Sequence, residues 1–298
     1  QERIEGLTTM TTRAVKGAPS RVWFRAFADE DPLTFSATPT ATVVDWSGVS
    51  LGTATVTPAD TPGVFSVLVG SALNASVHRL TVNVSGTIAT PFAGESWSTS
   101  IRVDVDGAPY FDLGELRTAP GMSKTRWTLD DLTSARAVVA DRLEEFVGTS
   151  MVVTPFELTG RAADWCTSSG GMMLPERFVR SVAGISVDGD PADISGLVVG
   201  PEGVLSGVAV NGETVTVRGT RGYSDTPPAD VREALIRWAA LIVTTGGDHG
   251  IPARAMSITN DLESYRLATA TTDYPSGVPD IDAVLRAWRD RLRLPGFA

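Results

Sequence analysis

Between residues 21 and 105 apolar and polar positions alternate with a period of two, in short runs. Arg21–Phe27, Ala41–Trp46, Gly52–Thr57, Gly63–Val69, Val77–Val84 and Trp97–Val105 are the runs. In the last of them Trp97, Thr99, Ile101, Val103 and Val105 share one face; Leu80, Val82 and Val84 share one face in the run before. Alternation of this kind marks strands with one buried face. Asp60-Thr61-Pro62-Gly63, Ser85-Gly86 and Asp106-Gly107-Ala108-Pro109 read as turns between them. Short alternating strands with Pro and Gly punctuation predict an all-β sandwich that ends near Asp106–Pro109.

Beyond that point the period changes. Leu132, Ala135, Val139, Leu143 and Phe146 fall on one face of a helix over Thr128–Gly148. Thr128 is its N-cap, Asp130 and Asp131 suit the positive end of its dipole, and Gly148 is its left-handed stop. A β-rich stretch follows from Met151 to Tyr223, with strands near Met172–Leu174, Phe178–Val187, Leu197–Val199 and Thr214–Arg218. Val187-Asp188-Gly189-Asp190 and Val210-Asn211-Gly212-Glu213 are hairpin signals. A second helix after Pro227-Pro228 carries Val231, Leu235, Trp238 and Ile242 at helical spacing and stops at Gly246-Gly247. A polar stretch from Thr244 to Pro279 holds a small hairpin candidate, Ala255–Asn260 with Ser264–Thr269. The last helix starts at Asp280, with Ile281, Leu285, Trp288 and Leu292 on one face and arginines elsewhere. The chain therefore reads as two domains: residues 1–107, an all-β sandwich, and 108–298, a largely helical α+β domain with a β-rich insertion.

Composition adds exclusions. Acids outnumber bases by 35 to 25, so broad electrostatic wrapping of nucleic acid is not expected. No apolar run approaches the roughly 18 residues of a membrane span, and no membrane role is expected. The one cysteine rules out an internal disulfide framework. Of the basic residues only Lys16 and Lys124 are lysine. Codon usage in a high-GC genome is the plain explanation; bidentate Arg–carboxylate pairing is the alternative.

The motifs do not build a catalytic site. Ala119–Thr125 ends like a phosphate loop, but Ser123 stands where the glycine before the lysine must be. Gly247-Asp248-His249-Gly250 lacks further ligands or a nearby nucleophile and reads as a loop. His78 reads as a strand surface residue. Cys166, with no base beside it in sequence, reads as a buried or half-buried structural thiol. Asn74-Ala75-Ser76 and Asn83-Val84-Ser85 match the glycosylation triplet, which is common by chance. No enzyme activity, metal or cofactor is expected.

The order of motifs after Pro109 resembles the head–tail connector (adaptor) proteins of long-tailed bacteriophages. The resemblance lies in Tyr110–Leu116, the helix ending Glu145-Phe146-Val147-Gly148, and Met173-Leu174-Pro175-Glu176-Arg177 followed by Val179–Val182 and Ile185–Gly189. It continues in Thr216–Tyr223 with Pro227–Ala234, and in Tyr274–Leu285. The N-terminal β-domain departs from minimal connectors and looks like the Ig-like modules that phages append to virion proteins.

That resemblance implies a structural virion protein of the neck, between capsid and tail. It implies a ring, usually a dodecamer, that joins the portal protein to a stopper or other tail-side neck protein. DNA would pass through the lumen without specific binding, which suits an acidic chain. The C-terminal segment is the portal-docking candidate: Arg286, Arg289 and Arg293 would meet portal acids, and Trp288, Leu292, Leu294 and Phe297 would be apolar anchors. The alternative is a surface-exposed Ig-like binding module that contacts the capsid or the host surface.

Overall fold

Among the described residues, ten strands form in the N-terminal part of the computed structural model: β1 (Thr12–Val15), β2 (Ser20–Arg25), β3 (Phe27–Ala28), β4 (Asp31–Pro32), β5 (Thr34–Phe35), β6 (Thr40–Asp45), β7 (Ser50–Pro58), β8 (Val64–Val69), β9 (Arg79–Thr90) and β10 (Ser96–Asp106). The structure describes residues 12–28, 30–122, 126–167, 171–200, 203–207, 210, 213–245, 255–259, 264–267 and 274–292. Eight of the strands make one mixed sheet in the order β1-β10-β9-β6-β7-β8-β2, with β5 beside β9. All its pairings are antiparallel except β1 on β10.

The expected two-sheet, Ig-like sandwich is corrected here to a single, nearly closed mixed sheet. The cause is the length of β7. Its first half, Ser50–Ala54, pairs with β6, and its second half, Thr55–Pro58, pairs with β8. One strand thus carries the hydrogen-bonded path past the place where a sandwich would break into two layers. Ser85-Gly86 is not a turn either, because β9 runs straight through it. Gly86 lies opposite Trp97 on β10, and a Cβ there would come within 2.9 Å of the Phe35 ring. Phe24 and Phe65 stack at 5.3 Å, Trp97 lies 5.7 Å from Phe24, and Phe35 meets Phe65 and Trp97 edge-on. Such aromatic contacts add specificity to the burial of this core. Val22, Val43, Val67, Leu80, Val82 and Val103 fill the rest of it and are fully buried.

The chain continues through α1 (Leu113–Thr118) and α2 (Leu129–Val147). In α2 the Thr128 hydroxyl accepts from Asp131 N, while the Asp131 carboxylate accepts from Thr128 N. This reciprocal cap satisfies donors the helix leaves open, and Gly148, at φ 78°, closes the other end. Leu132, Ala135, Val139 and Leu143 are buried, as their spacing predicts.

Next come β11 (Thr154–Arg161), α3 (Ala162–Trp165), β12 (Met172–Met173), β13 (Val179–Val187), β14 (Asp190–Pro191), β15 (Val198–Val199), β16 (Val204–Ser206) and β17 (Thr214–Arg221). They form a four-stranded sheet, β11-β17-β13-β14, and a three-stranded one, β12-β16-β15. Phe156, Ile185, Val215 and Val217 share a core with Met172, Leu174 and Leu205. Asp188 and Gly189, both at positive φ, make the two-residue turn from β13 to β14. The Asn211-Gly212 signal lies outside the described residues. The last elements are α4 (Ala229–Thr245), the hairpin β18 (Ala255–Thr259) with β19 (Ser264–Leu267), and α5 (Pro279–Leu292). Over the described chain as a whole strand residues outnumber helical ones, so the expectation of a largely helical connector fold is also corrected. The ten strands before Gly107 supply that excess, and β11 and β17 add to it within the second part.

Contacts divide the chain into two compact units. One comprises Gln1–Ala108 with Val153–Arg221, the other Pro109–Val152 with Gly222–Ala298. Within the first, Arg79 joins two sheets. It is the cross-strand partner of Asp104 and grips that carboxylate with two hydrogen bonds, 2.6 and 3.1 Å. Its other amino group lies 3.6 Å from Glu157 on β11, which in turn pairs with Arg218 on β17 at 3.2 Å. Burial alone disfavours the Arg79 charge. Asp104, and then Glu157, more than offset it and hold the guanidinium further into its charged range.

Arg79→Ala leaves the Asp104 carboxylate, 13% exposed, without its buried partner. A loss of about 3 kcal/mol is expected in urea unfolding, against under ~1 kcal/mol for Arg218→Ala at the more exposed end. Equal small losses would contradict the hub role of Arg79. A second outcome concerns pH. Hydrogen bonds from the Thr128 side chain and then its backbone hold Asp131 below the ordinary carboxylate range. A depressed carboxylate stabilises the fold above its unfolded pKa, and that contribution disappears as pH falls through the folded value. Asp131→Asn is therefore expected to flatten the acid side of the stability profile, read by thermal unfolding across that range.

Candidate functional site

The sequence singles out the C-terminal helix, and its seat lies wholly within the second unit. The segment Tyr274–Val278 starts it. Asp282, fully buried, accepts from the Ser276 backbone N at 2.9 Å and from the Ser276 hydroxyl at 2.7 Å. That hydroxyl accepts from Val278 N at 3.0 Å, and Pro279 takes the first helical position, where its missing N–H costs nothing. The turn into α5 is thereby fixed by one carboxylate and one hydroxyl.

Ile281, Leu285, Trp288 and Leu292 form the buried face of α5, which packs on α2 and α4. Trp288 donates from its indole N–H to Asp230 of α4 at 2.8 Å and meets Tyr223 edge-on at 5.4 Å. Trp288 and Leu292, each 6% exposed, thus face the interior of their own unit. The arginines engage rings. Arg286 lies 4.7 Å from the Tyr274 ring, Arg289 4.6 Å from Phe146, and Arg291 4.5 Å from Trp288. Flat guanidinium groups stack in this way where an ammonium would not. Arg293, Leu294 and Phe297 lie outside the described residues.

The clamping role of Tyr110 and an apolar groove went unnoticed in the sequence. Tyr110, 2% exposed, donates to Glu144 and accepts from Met151 N at 3.0 Å, so it ties the start of this unit to the end of α2. Its position just after a Gly-Ala-Pro turn gives no such hint. The second is a shallow apolar groove of about 250 Å³. Ala119, Pro120, Ala240, Leu241, Val278 and Ile281 line it, together with Arg237 and Asp280.

The remaining candidates are placed as follows. Cys166 is exposed, not buried, because it follows the short α3 at the margin of its sheet. His78 sits just before β9, not in the strand, with Nδ1 2.7 Å from the Ser76 carbonyl oxygen. Asn74 is fully buried and its amide donates to the carbonyl oxygens of Val15 and Ala18, so it is a structural clamp and no glycan acceptor in the folded chain. The Ser123–Thr125 part of the loop motif and Gly247–Gly250 lie outside the described residues. Among the described residues no three His, Cys, Asp or Glu side chains are grouped as metal ligands, and no helix is long and apolar enough to cross a membrane.

The Trp288–Asp230 bond is separable from packing. A double-mutant cycle with Trp288→Phe and Asp230→Ala is expected to show a coupling of about 1 kcal/mol. Trp238 is also fully buried, but its indole N–H has no partner among the described residues. Trp238→Phe should therefore be additive with Asp230→Ala in the same urea titrations. Additivity in both cycles would remove the bond from the account of how α5 is seated.

No family model matches this chain, and no curated protein matches its sequence. Among solved structures, a chain of the "Neck of empty GTA particle computed with C6 symmetry" is similar to it, with a TM-score of 0.36 and 17% identity, over 48% of this chain and 82% of that one.

Proposed function

We propose that this chain is a structural component of a phage-like virion neck, a connector that assembles as a ring between the portal and the tail-side neck proteins. The observation that supports this reading is that four of the segments that carry the connector resemblance gather in one unit, while Met173–Arg177, Val179–Val182, Ile185–Gly189 and Thr216–Arg221 belong to the other. Tyr110–Leu116, the α2 helix, Tyr223 with Pro227–Ala234, and Tyr274–Leu285 all gather in one unit, although residues 153–221 intervene between them. The contacts that close that unit are made by motif residues. Tyr110 binds Met151 N, Tyr223 N donates to the Ser150 carbonyl oxygen, and Asp282 anchors the turn before α5. A unit closed in this way is a rigid part suited to joining others.

On this reading the acidic chain, with 35 acids against 25 bases, lines a passage along which DNA slides without being gripped. Portal contact falls to Arg286 and to Arg293, Leu294 and Phe297 beyond α5. Trp288 and Leu292 support it from inside by fixing the helix.

Truncation after Leu292 spares every buried residue of α5. In particles assembled with the truncated chain, electron micrographs are expected to show DNA-filled heads without tails. Tailed particles in the wild-type proportion would overturn the portal-docking role.

A further inference from the structure

The large sheet is paired unevenly along β10. On one side β9 pairs with it from Ser96 to Asp104. On the other side β1 pairs with it in parallel, from Val103 to Asp106 only. Among the described residues no strand pairs with that second side between Ser96 and Arg102. Two hydrogen bonds fix which way the backbone groups point there. Val105 N–H donates to the His78 carbonyl oxygen on the β9 side, and Lys16 N–H donates to the Asp106 carbonyl oxygen on the β1 side. Backbone groups alternate along a strand, so odd-numbered residues of β10 turn theirs to β9 and even-numbered ones to the other side. Ser98, Ser100 and Arg102 therefore aim their N–H groups at an edge about 23 Å long. An edge of that length beside an apolar core is a template for another strand.

The register names that strand. Thr12 lies opposite Val103 and parallel strands run the same way, so the chain before Thr12 arrives along Arg102, Ile101 and Ser100 without a turn. Carried back one for one, the register sets Met10 against Ile101, Thr8 against Thr99 and Gly6 against Trp97. Paired residues face the same side of a sheet; Ala14 and its partner Val105 are both buried. Met10 would thus join buried Ile101 on the core face, while Thr9 and Thr11 would join exposed Ser100 and Arg102 outside. Position 6 is the demanding one. The Trp97 ring stacks 5.7 Å from Phe24 of β2, the strand at the other end of the sheet path, and on β9 a glycine, Gly86, already faces Trp97. A side chain added beside Trp97 on the second side would meet that stack, and the residue the register brings there is again glycine. The threonines at 8, 9 and 11 suit a strand.

We infer that Glu5–Thr11 continues β1 in register along β10 as far as Ser96 and closes that edge of its own sheet. Arg102, Ser100 and Ser98 N–H then donate to the carbonyl oxygens of Met10, Thr8 and Gly6, as parallel pairing requires. The occupant is this chain's own N-terminal segment, because β1 is already seated at the end of the edge and a strand from a second copy would have to abut it. The inference does not depend on the neck reading.

Hydrogen exchange of the full chain, read residue by residue by NMR, tests this. The amides of Ser98, Ser100 and Arg102 are expected to be protected to within about tenfold of those of Trp97, Thr99 and Ile101, which β9 holds. Exchange of the first three at the rate of free backbone overturns the inference. Deleting Gln1–Thr11 should speed those three at least tenfold more than the other three. Protection that persists in the deletion variant means that another element covers the edge, and the inference falls. Protection that is lost on dilution, together with a drop in sedimenting mass, puts a second copy's strand on the edge and also overturns it. Face and register are read separately from thermal unfolding of the full-length chain. Met10→Asp and Gly6→Val should each lower the midpoint by roughly 3 °C or more, and Thr9→Asp should leave it within about 1 °C. Equal shifts for Met10→Asp and Thr9→Asp contradict the register.

Discussion

Arg79 is the side chain on which the first unit depends. A guanidinium that is 14% exposed must be fully paired, since an unpaired buried charge costs more than most native contacts supply. Its bidentate bond to Asp104 lies within one sheet, and its reach to Glu157 crosses to another that begins some fifty residues after the first sheet ends, an interval of the order a helix pair needs. Each apolar core could form by itself. The ion pair gives the two sheets a single preferred register, because sliding either would strand a charge. Gly107 N, which donates to the Val153 carbonyl oxygen at 2.7 Å, supports the same alignment through the backbone.

A consequence appears in the second unit. With residues 153–221 held in the first, the helices of the second come from two separated stretches of chain. Loop closure of that kind costs entropy before any contact repays it. The repayment is concentrated at a few polar side chains. Tyr110 and Ser150 meet at the Glu144 carboxylate, and Asp282 and Ser276 satisfy each other in the turn before α5. Buried polar clusters of this sort specify one arrangement, since any other leaves a donor or acceptor without a partner. The apolar stripes of α2, α4 and α5 then add burial without having to choose the register.

This division explains what was legible in the sequence. The buried faces of α2 and α5 were read correctly, because spacing determines which residues share a face. The cap at Thr128 and the turn at Asp188-Gly189 were legible for the same local reason. The sheet was not. Whether β7 serves one neighbour or two depends on which strands reach it, and alternation reports only the side a residue faces. Strand β11 was missed because Pro155 and Gly160 sit inside it. The direction of α5 was the other gap. An apolar stripe on an arginine-rich helix fits burial against its own unit or against a partner equally well. Only Asp230 and Tyr223, both far away in sequence, decide that Trp288 turns inward.

The preference for arginine over lysine gains a physical use from these contacts. Codon usage was one reading of this preference, but it would not explain where the residues sit. Arg21, Arg126, Arg286, Arg289 and Arg291 each lie over an aromatic ring, and Arg79 forks onto a carboxylate. An ammonium is more strongly hydrated and cannot lie flat on a ring or fill two carboxylate oxygens at once. Replacing these residues by lysine would keep the net charge and lose the geometry. These six arginines of an acidic chain therefore act through planar contacts with rings and a carboxylate of their own fold. Arg21 and Arg25 stand apart, because their charges face outward without a carboxylate among the described residues.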